Sequence, residues 1–144
     1  MNIRLDKPHD QNCIESTNEL KLDFNKIKTF NADCCVIPVA VQDSATNEVI
    51  LIAYTNEEAF NETIKRRKAI FWSTSRNKLW FKGEESGNTF SIKSIYVNCD
   101  QNSLVYKVTP DNGNICHTSI NGNANNCFYR ELDLDTFELK LSTG

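Results

Sequence analysis

Two cysteines and a histidine share one short stretch, NICHTSINGNANNCFYR at residues 114–130. Cys116 and His117 are adjacent there, and Cys127 follows a run of little but Asn and Gly. A third thiol, Cys99, ends an alternating apolar segment upstream, so Cys99, Cys116 and Cys127 all fall at strand ends or in the loops beyond them, where side chains can converge. Three protein ligands with an open fourth position make a catalytic zinc site, because the metal draws the pKa of a water toward about 7. The alternative is buried, inert cysteine, a common core residue. No C-x-x-C pair is present, and Cys116 and Cys127 are too far apart for a tight structural knuckle. His117, held beside such a metal yet pointing elsewhere, suits a proton shuttle, since imidazole titrates near neutral pH. Otherwise it bonds a neighbouring backbone carbonyl.

These groups need a scaffold, and 144 residues with 40% hydrophobic content suffice for one core. A net charge of −3 implies no basic surface for a run of phosphates, so nucleic acid is not an expected partner. No apolar run approaches the ~20 residues that cross a bilayer, and the opening MNIRLDKPHDQN lacks the apolar middle of a secretion signal. A cytoplasmic protein without membrane contact is expected, where six cysteines favour thiolate chemistry or metal binding over disulfides. Residues 1–20 read as a polar extension and 21–144 as a single domain.

From Val36, VIPVAV and VILIAY predict a hairpin with strands at about 36–41 and 49–54. Thr55 to Glu58 has the T-x-x-E form of a capping box, and Ala59, Phe60 and Ile64 recur at helical spacing up to Lys65-Arg66-Arg67. AIFWS and KLWF read as strands around TSRN, with GEESGN as a following loop; both loops are candidates for ligand contact. The apolar alternation slips between Ile92 and Ile95, which predicts a β-bulge in a strand ending beside Cys99. SLVYKV alternates cleanly, and Cys34-Cys35 reads as core. The sum is a β-rich α+β domain with at least six strands and one main helix.

In this order, LIAYTNEEAF, FWSTSRNKLWFKGEESGN, NCDQNSLVYKV, CHT and CFYR make the chain resemble the phosphoribosyl-AMP cyclohydrolase family over about residues 35–131. The resemblance implies a strongly bent mixed sheet or pseudo-barrel with one main helix, in an intertwined homodimer. It implies hydrolysis of the N1–C6 bond of the adenine ring of 1-(5-phosphoribosyl)-AMP, a purine ring opening in histidine biosynthesis. Zinc would be held by Cys99 of one chain and Cys116 and Cys127 of the other, with His117 as general acid/base. The substrate pocket would draw on Trp72, Ser73, Ser75, Arg76, Lys82, Gly83 and Ser86. Arg76 offers a planar fork and Lys82 a point charge for phosphate, while on residue type alone both also suit a solvated turn.

The chain departs from the family in four respects. The family's magnesium carboxylates, D-C-D-x-D, are here Asn98-Cys99-Asp100-Gln101-Asn102; with only Asp100 charged, weak or absent magnesium binding is expected. The link from Cys116 to Cys127 is longer than usual, a polar insert within Ser119 to Asn126. Thr118-Ser119 replaces Thr-Gly, and Thr55 stands where Met is usual. A diverged relative acting on another purine-like heterocycle, or only binding a nucleotide, is the alternative function.

Overall fold

In IPVAVQD the alternating apolar side chains form β1 (Ile37–Asp43), with Ile37, Val39 and Val41 fully buried on one face. The computed structural model describes residues 35–113, 119–120, 123–124 and 126–141, together with Leu22 and Phe24. Cys116, His117, Cys34 and the extension at 1–20 lie outside the described residues. β2 (Val49–Thr55) returns antiparallel, with Val39 opposite Ala53, so the expected hairpin forms. Asp43 closes its turn: the carboxylate accepts from the Ala45 N–H at 2.8 Å, and the Asp43 N–H donates to the Glu48 carbonyl at 2.9 Å.

α1 (Glu57–Arg66) follows at once, but its cap differs from the expected capping box. Asn56 is the N-cap, its Oδ1 accepting from the Ala59 N–H at 2.8 Å, while Thr55 remains in β2 and is buried. The buried stripe differs too: Ala59, Phe60 and Thr63 face inward, and Ile64 is 41% exposed. Thr63 is buried because its hydroxyl accepts from the Ile70 N–H at 3.1 Å and lies 2.8 Å from the Ile70 carbonyl, stapling the helix to the next strand. Arg67 ends the helix in the left-handed region, φ 60°, its N–H bonded to the Thr63 carbonyl.

β3 (Ile70–Ser73) and β4 (Lys78–Phe81) pair antiparallel as a separate ribbon. β5 (Phe90–Val97) and β6 (Leu104–Pro110) make the next hairpin, and its register shifts between Ile92 and Ser94, where the bulge was predicted. β1 pairs parallel with β6, giving a mixed sheet of order β2-β1-β6-β5. Pro38 precedes the first residue of that parallel ladder, where a missing N–H does least harm. The sheet keeps β2 and β5 as edges, so the described residues close no barrel, and the pseudo-barrel alternative is set aside. Among the described residues the backbone joins β5 at the Lys68–Ser91 bridge and adjoining hydrogen bonds just before the ribbon, too short a contact to complete a cylinder.

β7 (Ser119–Ile120) and β8 (Asn123–Ala124) form a two-residue ladder inside what the sequence suggested was only a polar loop. Asn-Gly lies between them in sequence, the dipeptide that most favours a two-residue hairpin connection. β9 (Arg130–Leu132) and β10 (Leu139–Leu141) pair as a final ribbon, which the sequence pattern did not signal.

The core joins Ile37, Val39, Val41 and Ile50 of the first hairpin to Phe60, Phe71, Phe90, Leu104, Tyr106 and Val108. Cys35, read as core, is exposed, because the buried face begins only at Val36. The Tyr106 phenol is buried next to the Thr55 and Thr63 hydroxyls without closing a hydrogen bond of ordinary geometry. Burial pushes its pKa up to about 12, the two hydroxyls pulling back against that rise.

Two outcomes follow for stability. Thr63→Val keeps the side-chain shape but strands the buried Ile70 N–H, so chemical denaturation should read a loss of about 1–3 kcal/mol. Asp111 accepts from Lys68 Nζ at 2.7 Å and from Thr89 and Ser91 hydroxyls at 2.6 Å each. Burial pushes its carboxyl up, but the bonds from Lys68, Ser91 and Thr89 outweigh that and hold it below the ordinary 3.8. A lowered folded pKa stabilises above the unfolded value and loses that contribution as pH falls through the folded one. Asp111→Asn should therefore cost about 1 kcal/mol at neutral pH, solvent screening included, and the gap to wild type should close on acidification below about pH 4.

Candidate functional site

The β3–β4 ribbon and the loop after it wall a cavity of about 700 Å³. Ser73, Ser75, Arg76, Lys82, Gly83 and Ser86 line it, whereas Trp72 does not. The Trp72 indole N–H is instead buried within the protein, without a hydrogen-bond partner among the described residues. Trp80, tilted against Phe71 at 5.5 Å between ring centroids, takes a place in the cavity wall.

Local chemistry builds each part of this wall. At the ribbon's turn, the Asn77 N–H reaches the Ser73 carbonyl at 2.7 Å, and Asn77 adopts φ 56°, a conformation Asn tolerates. The Ser73 hydroxyl accepts from the Arg76 N–H at 3.2 Å and lies 3.4 Å from the Ser75 hydroxyl. The two hydroxyls and the exposed Arg76 guanidinium thus sit at one rim, and Arg76 makes no ion pair among the described residues. Opposite, the loop folds on itself: Gly87 N–H bonds the Gly83 carbonyl at 2.8 Å. Gly83 has φ +82°, and a Cβ there would stand 2.2 Å from the Asn88 backbone carbon, so only glycine permits this closure. Lys82 Nζ donates to the Asn88 carbonyl at 3.1 Å and lies 4.5 Å from the Phe90 ring centroid, fixing its charge at the loop's base.

Sequence reasoning did not single out Lys78, Glu84, Glu85, Asn88 or Leu51, all of which face the same cavity. The loop containing Glu84, Glu85 and Asn88 was legible as a ligand contact; Lys78 had a signal only in its pairing with Ser73. Leu51 comes from the neighbouring hairpin, which no local pattern connects to this loop.

Cys127 reaches the cavity because the chain after the insert is anchored to the β2 backbone. Its N–H donates to the Ile50 carbonyl at 3.3 Å, Asn126 Nδ2 donates to the Val49 carbonyl at 3.1 Å, and Asn126 Oδ1 accepts from the Phe128 N–H at 2.7 Å. Cys99 lies elsewhere, exposed in the turn between β5 and β6. Val97 is level with Leu104 and Val39, whereas Ile50 is level with Val41 and Gln42, three strands away. With strands ~4.8 Å apart and ~3.3 Å per residue, the two thiols of one chain are on the order of 20 Å apart. Among the described residues no group of three or more His, Cys, Asp or Glu side chains could hold a metal. Thiolate donors suit zinc, and at this separation Cys99 and Cys127 of one chain cannot share one ion. Cys116 and His117 lie outside the described residues.

Magnesium does not fit the turn around Cys99. Asn98 Oδ1 accepts from the Asn102 and Ser103 N–H groups at 2.8 and 2.9 Å, and Asn98 Nδ2 donates to Asn102 Oδ1 at 2.7 Å. The side-chain oxygens that replace carboxylates are already engaged within the turn.

A family model described as phosphoribosyl-AMP cyclohydrolase matches residues 51–129. A phosphoribosyl-AMP cyclohydrolase of Cenarchaeum symbiosum is 50% identical over 97 residues, 67% of this chain and 85% of the relative. Another, from Methanothermobacter thermautotrophicus, is 39% identical over 127 residues, 88% of each chain. A histidine biosynthesis bifunctional protein of Lactococcus lactis is 48% identical over 97 residues, 67% of this chain but 43% of that protein. The match runs from Leu51 in the cavity wall to just beyond Cys127, and with it the chain belongs to the phosphoribosyl-AMP cyclohydrolase family of hydrolases.

Proposed function

We propose that the protein hydrolyses the N1–C6 bond of the adenine ring of 1-(5-phosphoribosyl)-AMP in histidine biosynthesis, with zinc at a site shared between two copies of the chain. The observation that carries this reading is the cavity that gathers the Arg76 and Lys82 cations, serine hydroxyls and the Cys127 thiol in one place. The relatives' names supply the substrate and pathway. Cys99 of one subunit, with Cys116 and Cys127 of the other, would hold zinc, which when bound supplies Lewis acidity and a water activated near neutral pH. Arg76 and Lys82 bind the phosphates, the first through a bidentate fork and the second as a fixed point charge. Ser73, Ser75 and Ser86 orient the ligand through hydroxyl hydrogen bonds. His117 moves the proton between the attacking water and the ring nitrogen. Magnesium has no part in this scheme.

A homodimer is part of the proposal, supported by the diagonal separation of Cys99 and Cys127 and by the outer face of the sheet. Across all four strands that face carries Ile52, Ala40, Val105 and Tyr96 in register, with Tyr54 beside Pro38. Ile52 is 48% and Tyr96 54% exposed, an apolar row suited to burial against a second copy.

Two experiments test the reading. Cys99→Ala and Cys127→Ala subunits should each be inactive alone, yet regain zinc and turnover when co-expressed, because each mixed dimer rebuilds one intact site of its two. No recovery would reject sharing. Arg76→Ala should raise KM for phosphoribosyl-AMP about tenfold or more with a smaller change in kcat, the signature of uniform phosphate binding; a fall mainly in kcat rejects that role.

A further inference from the structure

The turn that carries Cys99 is held by an unusual amount of side-chain amide bonding. β5 ends at Val97 and β6 begins at Leu104, and the Asn98 N–H donates to the Ser103 carbonyl at 3.2 Å across the gap. The Gln101 N–H donates to the Asn98 carbonyl at 3.0 Å, with Gln101 at φ 55° and 5% exposed. Asn98 Oδ1 accepts two backbone N–H groups, from Asn102 at 2.8 Å and Ser103 at 2.9 Å, which fixes the orientation of its amide. Its Nδ2 then faces Asn102 Oδ1 at 2.7 Å and donates to it.

The polarity of that last contact decides what this turn requires. Two carboxylates with oxygens this close repel, and need a proton or a cation between them. An amide N–H brings its own positive end, so the same closure forms with no ion. Both oxygens accept within the turn and neither carries a formal charge, which removes what a hard divalent cation seeks. Asp100 alone is left with a charge, half-buried in the same turn.

We infer that Asn98 and Asn102 are positioning residues which hold the Cys99 turn closed by an amide hydrogen bond in place of a divalent cation. The effect on zinc rests on the reading of Cys99 as a ligand; the effect on the turn does not. Either asparagine alone can supply the donor: if one becomes aspartate, the other keeps its NH2 and turns it toward the new carboxylate. Only when both are replaced is the donor lost. The two positions therefore act as a strongly non-additive pair.

The test is a double-mutant cycle on the zinc-loaded full-length protein: wild type, Asn98→Asp, Asn102→Asp and the double variant. Each is followed by thermal unfolding, by zinc affinity and by calorimetric titration with magnesium chloride. Wild type and both single variants should unfold at closely similar temperatures, unmoved by magnesium. Without magnesium the double variant should unfold at a lower temperature and bind zinc about tenfold more weakly, the scale of losing an outer-shell partner. Magnesium should restore both with saturation. A double variant as stable as the singles, a double variant that magnesium does not rescue, or saturable magnesium binding at this turn in wild type would each overturn the inference. If wild type takes up no zinc, the zinc reading fails while the unfolding temperatures still decide the inference.

Discussion

From Val39 to Asp43, β1 runs beside Leu104 to Val108 of β6 in the same direction, and this parallel ladder joins two otherwise local hairpins into one sheet. Each hairpin alone buries one face poorly; together they enclose Val39, Val41, Tyr106 and Val108 with the aromatic side chains of α1, β3 and β5. The ladder also sets the chemistry. It places the β5–β6 turn, and so Cys99, at the opposite end and opposite edge from the backbone that anchors Cys127. The proposed zinc site therefore draws on an assembly and not on one chain, and the apolar outer face is in keeping with that proposal.

The cavity depends on a second joint. Thr63 fixes the start of β3 against α1, and β3 with β4 forms the ribbon that carries Ser73, Ser75 and Arg76. Residues 67–69 then link this ribbon to the β5–β6 hairpin, through Ala69 N–H to Phe90 O, Ile92 N–H to Arg67 O and Lys68 Nζ to the Ser91 hydroxyl on β5, and through the Lys68–Asp111 ion pair just beyond β6. Positions far apart in sequence are thereby held at one wall.

Much of this was legible in the residues. The strands announced themselves by alternation, and the slip between Ile92 and Ile95 located the bulge, because pleat and burial share a period of two. The helix was legible but its details were not. Asn56 and Thr55 both suit a cap, and only the length of β2 decides between them; Thr63 takes an inward place because Ile70 offers its hydroxyl backbone partners that an isolated helix lacks. The parallel ladder had no local signal, since a strand's partner across some 65 positions leaves no mark in either segment. For the same reason the family motifs include Leu51 without marking it as cavity wall, and the burial of the Trp72 indole away from the cavity could not be read from its type.

The closure of the loop after β4 is main chain against main chain. Gly83 and Asn88 meet with no room for a Cβ, and the Gly83 carbonyl holds the Gly87 N–H. The shape of that wall is consequently set first by its backbone, with the Ser86 hydroxyl accepting from the Asn88 N–H and Lys82 Nζ donating to the Asn88 carbonyl as its side-chain ties. Glu84 and Glu85 hang from a frame that does not need them, so selection, or an engineer, can rewrite which charges a ligand meets there without redrawing the vessel that holds it.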